Sequence, residues 1–330
     1  MDLILRVPHD FLDSVPGKRG GMEPITHRAM QEMVARSGVQ PVTCPGGSAA
    51  NMLRGLARLG HPCAIVGKRG LDPMGEHYVR AMKEVGVGGA LTETPTPNTI
   101  VLSLVEPCGM RTMRTYMGAS QELQAAELDP EAFKGIRHLH IEGYAFYNQR
   151  PMERAIELAK REGATISLDL ASFEVVGRFF ASIVETLREQ VDLVFANELE
   201  AEEITGERCE QAVECLGEWC ETAVVMLGRK GGLVKRGSEK IRYSADVVED
   251  PIDTTGAGDL FASGFVSGML KGRPIEECAR AGALAGRAVV QVIGAVIPES
   301  RWPALLRQMP GGSPAGRPQD RPSRAQPSLV

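Results

Sequence analysis

The segment PIDTTGAGDLFASGFVSGML, residues 251–270, carries the most specific pattern in the sequence. Two threonines and a glycine-rich turn precede Asp259, and apolar residues at helical spacing follow at once. We expect a helix that starts at the glycines, where backbone N–H groups have no intrahelical acceptor. The N–H groups of Gly256, Ala257 and Gly258 would form an anion site at the positive end of the helix dipole.

The carboxylate of Asp259 lies in the first turn of this predicted helix, next to the anion site. There it can accept a proton from an attacking hydroxyl while the N–H groups hold a transferring phosphoryl group. The alternative is a glycine-rich helix start at which the acid only stabilises the dipole. The pattern Gly-x-Gly-Asp alone favours that alternative, whereas the full string from Asp253 to Asp259, with an acid on each side of the turn, favours catalysis.

A second glycine-rich segment, CPGGSAANMLRGLARLG, occupies residues 44–60. Gly47 precedes a predicted helix, Ser48 is placed to cap it, and Asn51 lies one turn further on. A plain turn before a helix is the default interpretation of this segment alone. The whole sequence lacks the pattern Gly-x-x-x-x-Gly-Lys-Ser/Thr and the dinucleotide fingerprint, which argues against a P-loop NTPase and against a dehydrogenase.

Residues 195–206, FANELEAEEITG, follow an apolar predicted strand. Asn197 and Glu200 are three residues apart, on one side of the next helix, and ligands of open α/β sheets bind at the carboxyl ends of strands. The alternative is an ordinary acidic helix start. The segment VVMLGRKGGLV, residues 224–234, is by itself only a hairpin signal.

The segment GMRTMRTY, residues 109–116, places Arg111 and Arg114 in a predicted β layer. Residues 88–118 around them are rich in Pro, Gly and Thr, with short strand-like pieces and no good helix. The two arginines either meet phosphate charge when a lid closes or protect an exposed strand edge, and the sequence favours neither interpretation.

The composition is that of a globular protein without nucleic-acid or membrane partners. The net charge of −5 and the isoelectric point near 5.8 favour neither nucleic acid nor an anionic membrane surface. No apolar run approaches the roughly 18–20 residues of a membrane helix, and the N-terminus lacks the features of a secretory signal. Seven cysteines without a Cys-x-x-Cys pair, and six histidines without metal-ligand spacing, predict reduced thiols, a cytoplasmic location and no transition-metal site.

Short β-rich runs alternate with amphipathic segments, which predicts an α/β fold with a mostly parallel sheet flanked by helices. The predicted strands are 63–67, 99–106, 137–141, 164–169, 192–196 and 222–227. The predicted helices are 47–59, 74–85, 151–162, 174–189, 209–220, 258–271 and 275–292. Residues 310–330 are almost entirely Pro, Gly, Ser and polar residues, which predicts a disordered tail.

Taken together and in this order, the segments resemble the PfkB (ribokinase-like) family of carbohydrate and nucleoside kinases. The two signatures are GGSAANMLRGLARLG near the start and DTTGAGDLFASGF near the end. The stretches RTMR, SLDLASFE and FANELEAEE are similar to the adenosine-kinase-like branch. The resemblance implies a doubly wound sheet with a small β lid that often forms a homodimer contact. It implies a kinase domain over 1–309, with a lid from about 3–45 and 88–118 and a core from 46–87 and 119–309.

The resemblance also implies ATP-dependent, Mg²⁺-dependent phosphorylation of a hydroxyl on a small sugar or nucleoside, with K⁺ as a further ion in many members. It implies Asp259 as the general base and the backbone of residues 256–258 as the anion hole. Asn197 and Glu200 match a motif that handles Mg²⁺ and phosphates, usually through water. The other implied roles are substrate binding by Asp2, Gly47, Ser48, Asn51 and Arg114, nucleotide binding by Gly228 and Gly231, and monovalent-cation binding by Asp253 and Thr255. Gly282 is at a nucleotide-binding position where some relatives have an Asn that contacts the adenine, and that contact is absent here.

One departure from the family concerns the first strand. Relatives begin with a strand of the kind Gly-Asn-(Ala/Pro)-Leu-(Val/Leu)-Asp, which lies inside the sheet and whose Asp binds substrate hydroxyls. Here Asp2 takes that Asp position and only Met1 precedes it, which predicts a truncated first strand and an open apolar slot with unpaired backbone groups. Either the true start lies upstream, or the chain is a non-catalytic binding or scaffold protein of the same fold. The sequence does not specify the sugar or nucleoside.

Overall fold

The computed structural model describes residues 1–311 and the backbone of residues 328 and 329. These residues form a nine-stranded sheet with helices on both faces and a smaller five-stranded sheet. The predicted α/β fold, doubly wound and mostly parallel with a small β lid, is thereby confirmed. No helix within the described residues combines the length and the apolar character needed to cross a membrane.

The strands are β1 (Asp2–Arg6), β2 (Met22–Pro24), β3 (Val42–Cys44), β4 (Cys63–Gly70), β5 (Val87–Thr94), β6 (Ile100–Val105), β7 (Arg111–Tyr116), β8 (His138–Glu142), β9 (Thr165–Asp169), β10 (Leu193–Asn197), β11 (Thr222–Met226), β12 (Gly232–Arg236), β13 (Glu239–Tyr243) and β14 (Ser328–Leu329). The large sheet has the order β13-β12-β11-β10-β9-β8-β14-β4-β5 and is parallel from β11 to β5. The lid sheet has the order β2-β7-β6-β1-β3.

The helices are α1 (His27–Ser37), α2 (Ser48–Arg58), α3 (Pro73–Glu84), α4 (Gln149–Arg161), α5 (Phe173–Arg178), α6 (Phe180–Gln190), α7 (Glu198–Thr205), α8 (Cys209–Trp219), α9 (Ala257–Leu270), α10 (Ile275–Val289) and α11 (Trp302–Gln308). Strand β10 shows how they cover both faces of the sheet. Val194 and Ala196 pack in the core on the side of α4 to α8, whereas Leu193 and Phe195 pack on the side of α2, α9 and α10. This alternation explains why the strand is almost entirely apolar.

The two-residue strand β14 lies between β4 and β8 and pairs in parallel with both. Ser328 is opposite Cys63, and Leu329 is opposite Ala64 and Leu139. Beyond this point, the facing edges of β4 and β8 have no paired strand among the described residues. Among the described residues, the large sheet therefore contains a gap one strand wide between β4 and β8, and β14 occupies its beginning.

The lid sheet packs one face against α1, which buries Met30 and Met33 against Leu5, Leu102 and Leu104. Thr26 caps this helix by accepting a hydrogen bond from the Ala29 N–H at 3.2 Å. The helix was not predicted, because only two of its side chains are fully buried and the apolar signal is weak.

The boundaries of the lid differ from the prediction in one place. Residues 87–94, which were mostly assigned to the lid, form β5 at the edge of the large sheet and pair with β4 over its whole length. The cause is a tertiary pairing that the glycine-rich sequence of β5 does not reveal. The predicted disordered tail falls mainly on residues 312–327 and 330, which lie outside the described residues.

Candidate active site

A cavity of about 790 Å³ lies between the lid and the carboxyl ends of the central strands. Glu142, Asp169 and Asn197, at the ends of β8, β9 and β10, line one side of it. Asp2 and Arg111 reach it from the lid. This is the position at which ligands bind in open α/β sheets.

The carboxylate of Asp259 faces this cavity from the first turn of α9. Its Oδ1 accepts a hydrogen bond from the Ser48 hydroxyl at 2.8 Å, and its Oδ2 accepts one from the Asn51 amide at 2.7 Å. Both donors belong to α2, so the two glycine-rich helix starts of the sequence meet at one carboxylate. Residues more than 200 positions apart in the chain are brought together here.

Two glycines beside the site leave no room for a side chain. Gly256, which precedes α9, has a φ of 74°, and a Cβ atom there would lie 2.5 Å from the Cβ atom of Ala295. A Cβ atom at Gly46 would lie 2.1 Å from the carboxyl group of Asp2. Larger residues at either position would displace the chain around the site. Gly256, Ala257 and Gly258 all line the cavity, so the N–H groups of the helix start lie beside Asp259.

The pKa of Asp259 reflects opposing influences. Burial raises it most, and the hydrogen bonds from Asn51 and Ser48 lower it. The charge of Asp2 raises it further, while the charge of Arg111 lowers it. The net pKa lies above the ordinary value for an aspartate, so the carboxylate binds a proton more readily than an exposed aspartate does.

Arg111 connects the lid to the loop before α9. Its Nη1 donates a hydrogen bond to the Thr255 hydroxyl, and its Nε lies 4.0 Å from Oδ1 of Asp253. Asp253 also accepts hydrogen bonds from the Thr255 hydroxyl at 2.6 Å and from the Gly294 N–H at 2.8 Å. Burial raises the pKa of Asp253, but these bonds outweigh it and the net pKa is lowered. The predicted pair Asp253 and Thr255 is therefore an ordered, ionised unit at the rim of the site.

Arg114, predicted to bind substrate, lies elsewhere. Its side chain is 1% exposed, and its guanidinium donates to the backbone carbonyls of Pro16, Lys18, Gly21 and Met113. The prediction for Arg114 is wrong because strand side chains alternate: residues 111, 113 and 115 line the cavity, and residue 114 points to the opposite face.

Asn197 and Glu200 form a capping box at the start of α7. The Asn197 side-chain oxygen accepts from the N–H of Glu200 at 3.0 Å, and a Glu200 oxygen accepts from the N–H of Asn197 at 2.8 Å. Both side chains line the cavity, and Glu200 is buried. Burial, followed by the charge of Asp169, raises the pKa of Glu200 well above the ordinary value.

Two further carboxylates in the cavity were missed from the sequence. Glu142 and Asp169 are opposite each other on β8 and β9, and they accept hydrogen bonds from the N–H groups of Ala49 at 2.9 Å and Ala171 at 2.8 Å. Burial, followed by the charge of Asp259, raises the pKa of Asp169 to about 7. The available signal was an acid at the end of one predicted strand, 164–169, and directly after another, 137–141.

The glycine turn between β11 and β12 lines another part of the cavity through Gly228 and Gly231. Gly282 does not line the cavity. It packs against α9, where an added Cβ atom would lie 2.9 Å from the Phe261 ring. The nucleotide-contact prediction at Gly282 is therefore wrong, and Gly286 and Arg287 of the same helix face the cavity instead.

Metal binding by protein side chains alone is not supported within the described residues. No group of three or more His, Cys, Asp or Glu side chains there is arranged to hold a metal ion. The carboxylates of Glu142, Asp169 and Glu200 nevertheless line one cavity. Oxygen ligands of this kind suit Mg²⁺, which keeps several waters and is commonly shared with substrate phosphates.

Comparison with known proteins gives consistent results. The sequence matches the pfkB family of carbohydrate kinases over residues 24–302. It is 28% identical to a ribokinase of Arabidopsis thaliana over 77% of this chain and 69% of that one. The fold is similar to the crystal structure of adenosine kinase from Sinorhizobium meliloti, with a TM-score of 0.87, 32% identity and coverage of 93% and 95%. A probable sugar kinase from Rhizobium etli gives a TM-score of 0.87 at 29% identity, with coverage of 92% and 94%.

Proposed function

The chain belongs to the pfkB family of carbohydrate kinases, and we propose that it transfers the γ-phosphoryl group of ATP to a hydroxyl of a small nucleoside or sugar with Asp259 as the general base. The observation that carries this proposal is the position of Asp259. Its carboxylate lies in a cavity, in the first turn of helix α9, and is held by Ser48 and Asn51.

In the proposed reaction, the substrate hydroxyl replaces one of the two donors on Asp259 and gives its proton to the carboxylate. The oxygen then attacks the γ-phosphorus, the bond to the bridging oxygen of ADP breaks, and the N–H groups of residues 256–258 hold the charge on the transferring group. Asp2 and Asn51 are proposed to hold other substrate hydroxyls. Arg111, rather than Arg114, is the lid arginine proposed to face the phosphate charge.

The nucleotide is proposed to bind along the turn of Gly228 and Gly231 and the cavity-facing side of α10. Mg²⁺ would be held by the ATP phosphates and waters. Glu200 and Asp169 are the protein groups whose carboxylate oxygens best suit this ion. The ion would neutralise phosphate charge beside several carboxylates. K⁺ is proposed to bind near Asp253 and Thr255, as the family resemblance implies.

A nucleoside is the substrate class to test first. The lid and the segment after it contribute Met22, Met113 and Met117 to the cavity wall, and methionines adapt well to flat apolar groups such as a nucleobase. The similarity to the Sinorhizobium meliloti adenosine kinase supports the same choice. A free sugar is the second class.

One observation favours a different function, that of a non-catalytic binding protein. The gap between β4 and β8 opens into the cavity, since residues 65–69 and 139–142 line it. A sheet with unpaired inner edges is a less rigid support for Glu142 and for the reacting groups beside it.

The test is a coupled assay of ATP consumption with nucleosides, ribose, fructose and 2-keto-3-deoxygluconate, with products identified by mass spectrometry. The proposal predicts a monophosphate of at least one acceptor and ADP in equal amount. Tight ATP binding by a folded chain that forms no monophosphate from any acceptor supports the non-catalytic alternative instead.

A further inference from the structure

Arg54 is a buried arginine directly behind the catalytic groups. It lies on α2, is 7% exposed, and does not line the cavity. No carboxylate of the described residues lies within 4.0 Å of its guanidinium, and its buried Nε has no hydrogen-bond partner. Burying a cation without an ionic partner costs folding free energy, so the hydrogen bonds that Arg54 does make point to its role.

The guanidinium contacts two places in the glycine-rich segment 44–60, which supplies the donors to Asp259. Its Nη2 donates a hydrogen bond to the side-chain oxygen of Asn51 and another, of 3.2 Å, to the carbonyl of Pro45, just before the glycine pair. Asn51 in turn donates from its Nδ2 to Asp259. The three side chains form one chain of hydrogen bonds that runs from Arg54 to the carboxylate.

The direction of this chain follows from the chemistry of arginine. A guanidinium has only donors and no acceptor, whereas an amide has one accepting and one donating end that look alike in shape. Because Arg54 can only donate, it binds the oxygen end of the Asn51 amide. The NH₂ end must then face Asp259, where it favours the ionised carboxylate over the protonated one.

We propose that Arg54 is a positioning residue that fixes the orientation of the Asn51 amide and thereby keeps Asp259 ionised and ready to accept a proton. The proposal rests on Asp259 being the base of the proposed phosphoryl transfer. Without the donor at residue 54, the Asn51 amide is free to turn its oxygen toward Asp259. That orientation favours a protonated carboxyl group, which cannot act as a base.

The test compares the pH dependence of kcat/KM for the wild type, Arg54→Met, Arg54→Gln and Arg54→Lys. The acidic limb of kcat/KM reports the free enzyme, in which Asp259 must be ionised. We expect Arg54→Met and Arg54→Gln to move this limb upward by about one pH unit, since both allow the amide to turn. Arg54→Lys, which can only donate, should keep the limb near that of the wild type.

A matched control and a double variant separate positioning from folding. Arg58→Met makes the same substitution one turn further along α2, at an arginine that pairs with Glu299, and should leave the limb in place. In an Asn51→Ala background, Arg54→Met should cause no additional shift, because the amide through which it acts is absent. If Arg54→Met fails to fold, Arg54→Gln takes its place in the Asn51→Ala comparison, which separates the direct charge effect of Arg54 on Asp259 from its effect through the amide.

The protonation of Asp259 can also be followed without turnover. Carbon-13 NMR of protein labelled at the Asp side-chain carboxyl, with the resonance assigned through Asp259→Asn, gives its pKa directly in each variant. This measurement decides the role of Arg54 even if the wild type phosphorylates nothing. An unchanged Asp259 pKa in folded Arg54→Met and Arg54→Gln protein overturns the proposal.

Discussion

The pKa of Asp169 shows how strongly the charged groups in the cavity affect one another. Burial and the charge of Asp259 raise its pKa to about 7. Its folded-state pKa is thus above the unfolded value, so the folded chain binds the proton more tightly than the unfolded chain does. The stability that this group contributes is complete at low pH and is lost as the pH rises from about 4 through 7.

Replacing Asp169 with Asn should therefore stabilise the protein at neutral pH. The amide keeps an acceptor for the Ala171 N–H and removes the repulsion with Asp259. We expect the free energy of unfolding of Asp169→Asn to exceed that of the wild type by about 1–3 kcal/mol at pH 8 and to match it more closely near pH 4.5. Urea unfolding over this pH range measures the difference, with the exposed Asp10→Asn as control. A difference that does not change with pH contradicts the assignment.

The two lid arginines should respond in opposite ways to the same substitution. Arg111→Met should lower kcat/KM by about 10- to 100-fold with little change in stability, because the guanidinium lies at the cavity rim. Arg114→Met should cost about 2–4 kcal/mol of folding free energy, because it removes four hydrogen bonds from a buried guanidinium to backbone carbonyls of the lid. Thermal or urea unfolding and steady-state kinetics on both variants check this. Equal losses of stability in Arg111→Met and Arg114→Met would contradict the placement of the two arginines on opposite faces of the lid sheet.

These two arginines also show how far the roles of single residues could be predicted from the sequence. The two residues are an odd number of positions apart on a strand, so period-two alternation alone places them on opposite faces. The sequence could not specify which one meets the cavity, because that depends on the side of the lid covered by α1. Arg54 carried no signal at all, since its role depends on the side-chain contact with Asn51 in the folded chain.

At the scale of single elements, the periodic segments were predicted well. The helix predicted over 47–59 is Ser48–Arg58, and the strand predicted over 192–196 is Leu193–Asn197. The pattern of the helix is clear because its apolar face is long. The pattern of the strand is clear because both of its faces are buried. Strands β5 and β14 were not predicted, since β5 is glycine-rich and β14 is two residues long, and both exist through pairing with distant strands.

At the scale of the whole molecule, the site is built from segments separated by about two-thirds of the chain. The sequence motifs indicated each part, but the distances between Ser48, Asn51 and Asp259 come only from the packing of α2 against α9. The homodimer through the lid stays a prediction. Helix α1 covers one face of the lid sheet and the cavity lies at the other, so a dimer that uses the lid would have to form at an edge strand or displace this helix.

The central claim, that Asp259 is the base of a phosphoryl transfer, is tested most directly by Asp259→Asn. The amide preserves the size of the side chain and one of its two accepting oxygens, but it cannot accept the substrate proton. With the best acceptor from the substrate assay, we expect kcat to fall by about 10²- to 10⁴-fold while the affinity for ATP is unchanged. Single-turnover transfer from labelled ATP measures this step. A folded Asp259→Asn protein that transfers the phosphoryl group at a near-normal rate would contradict the account.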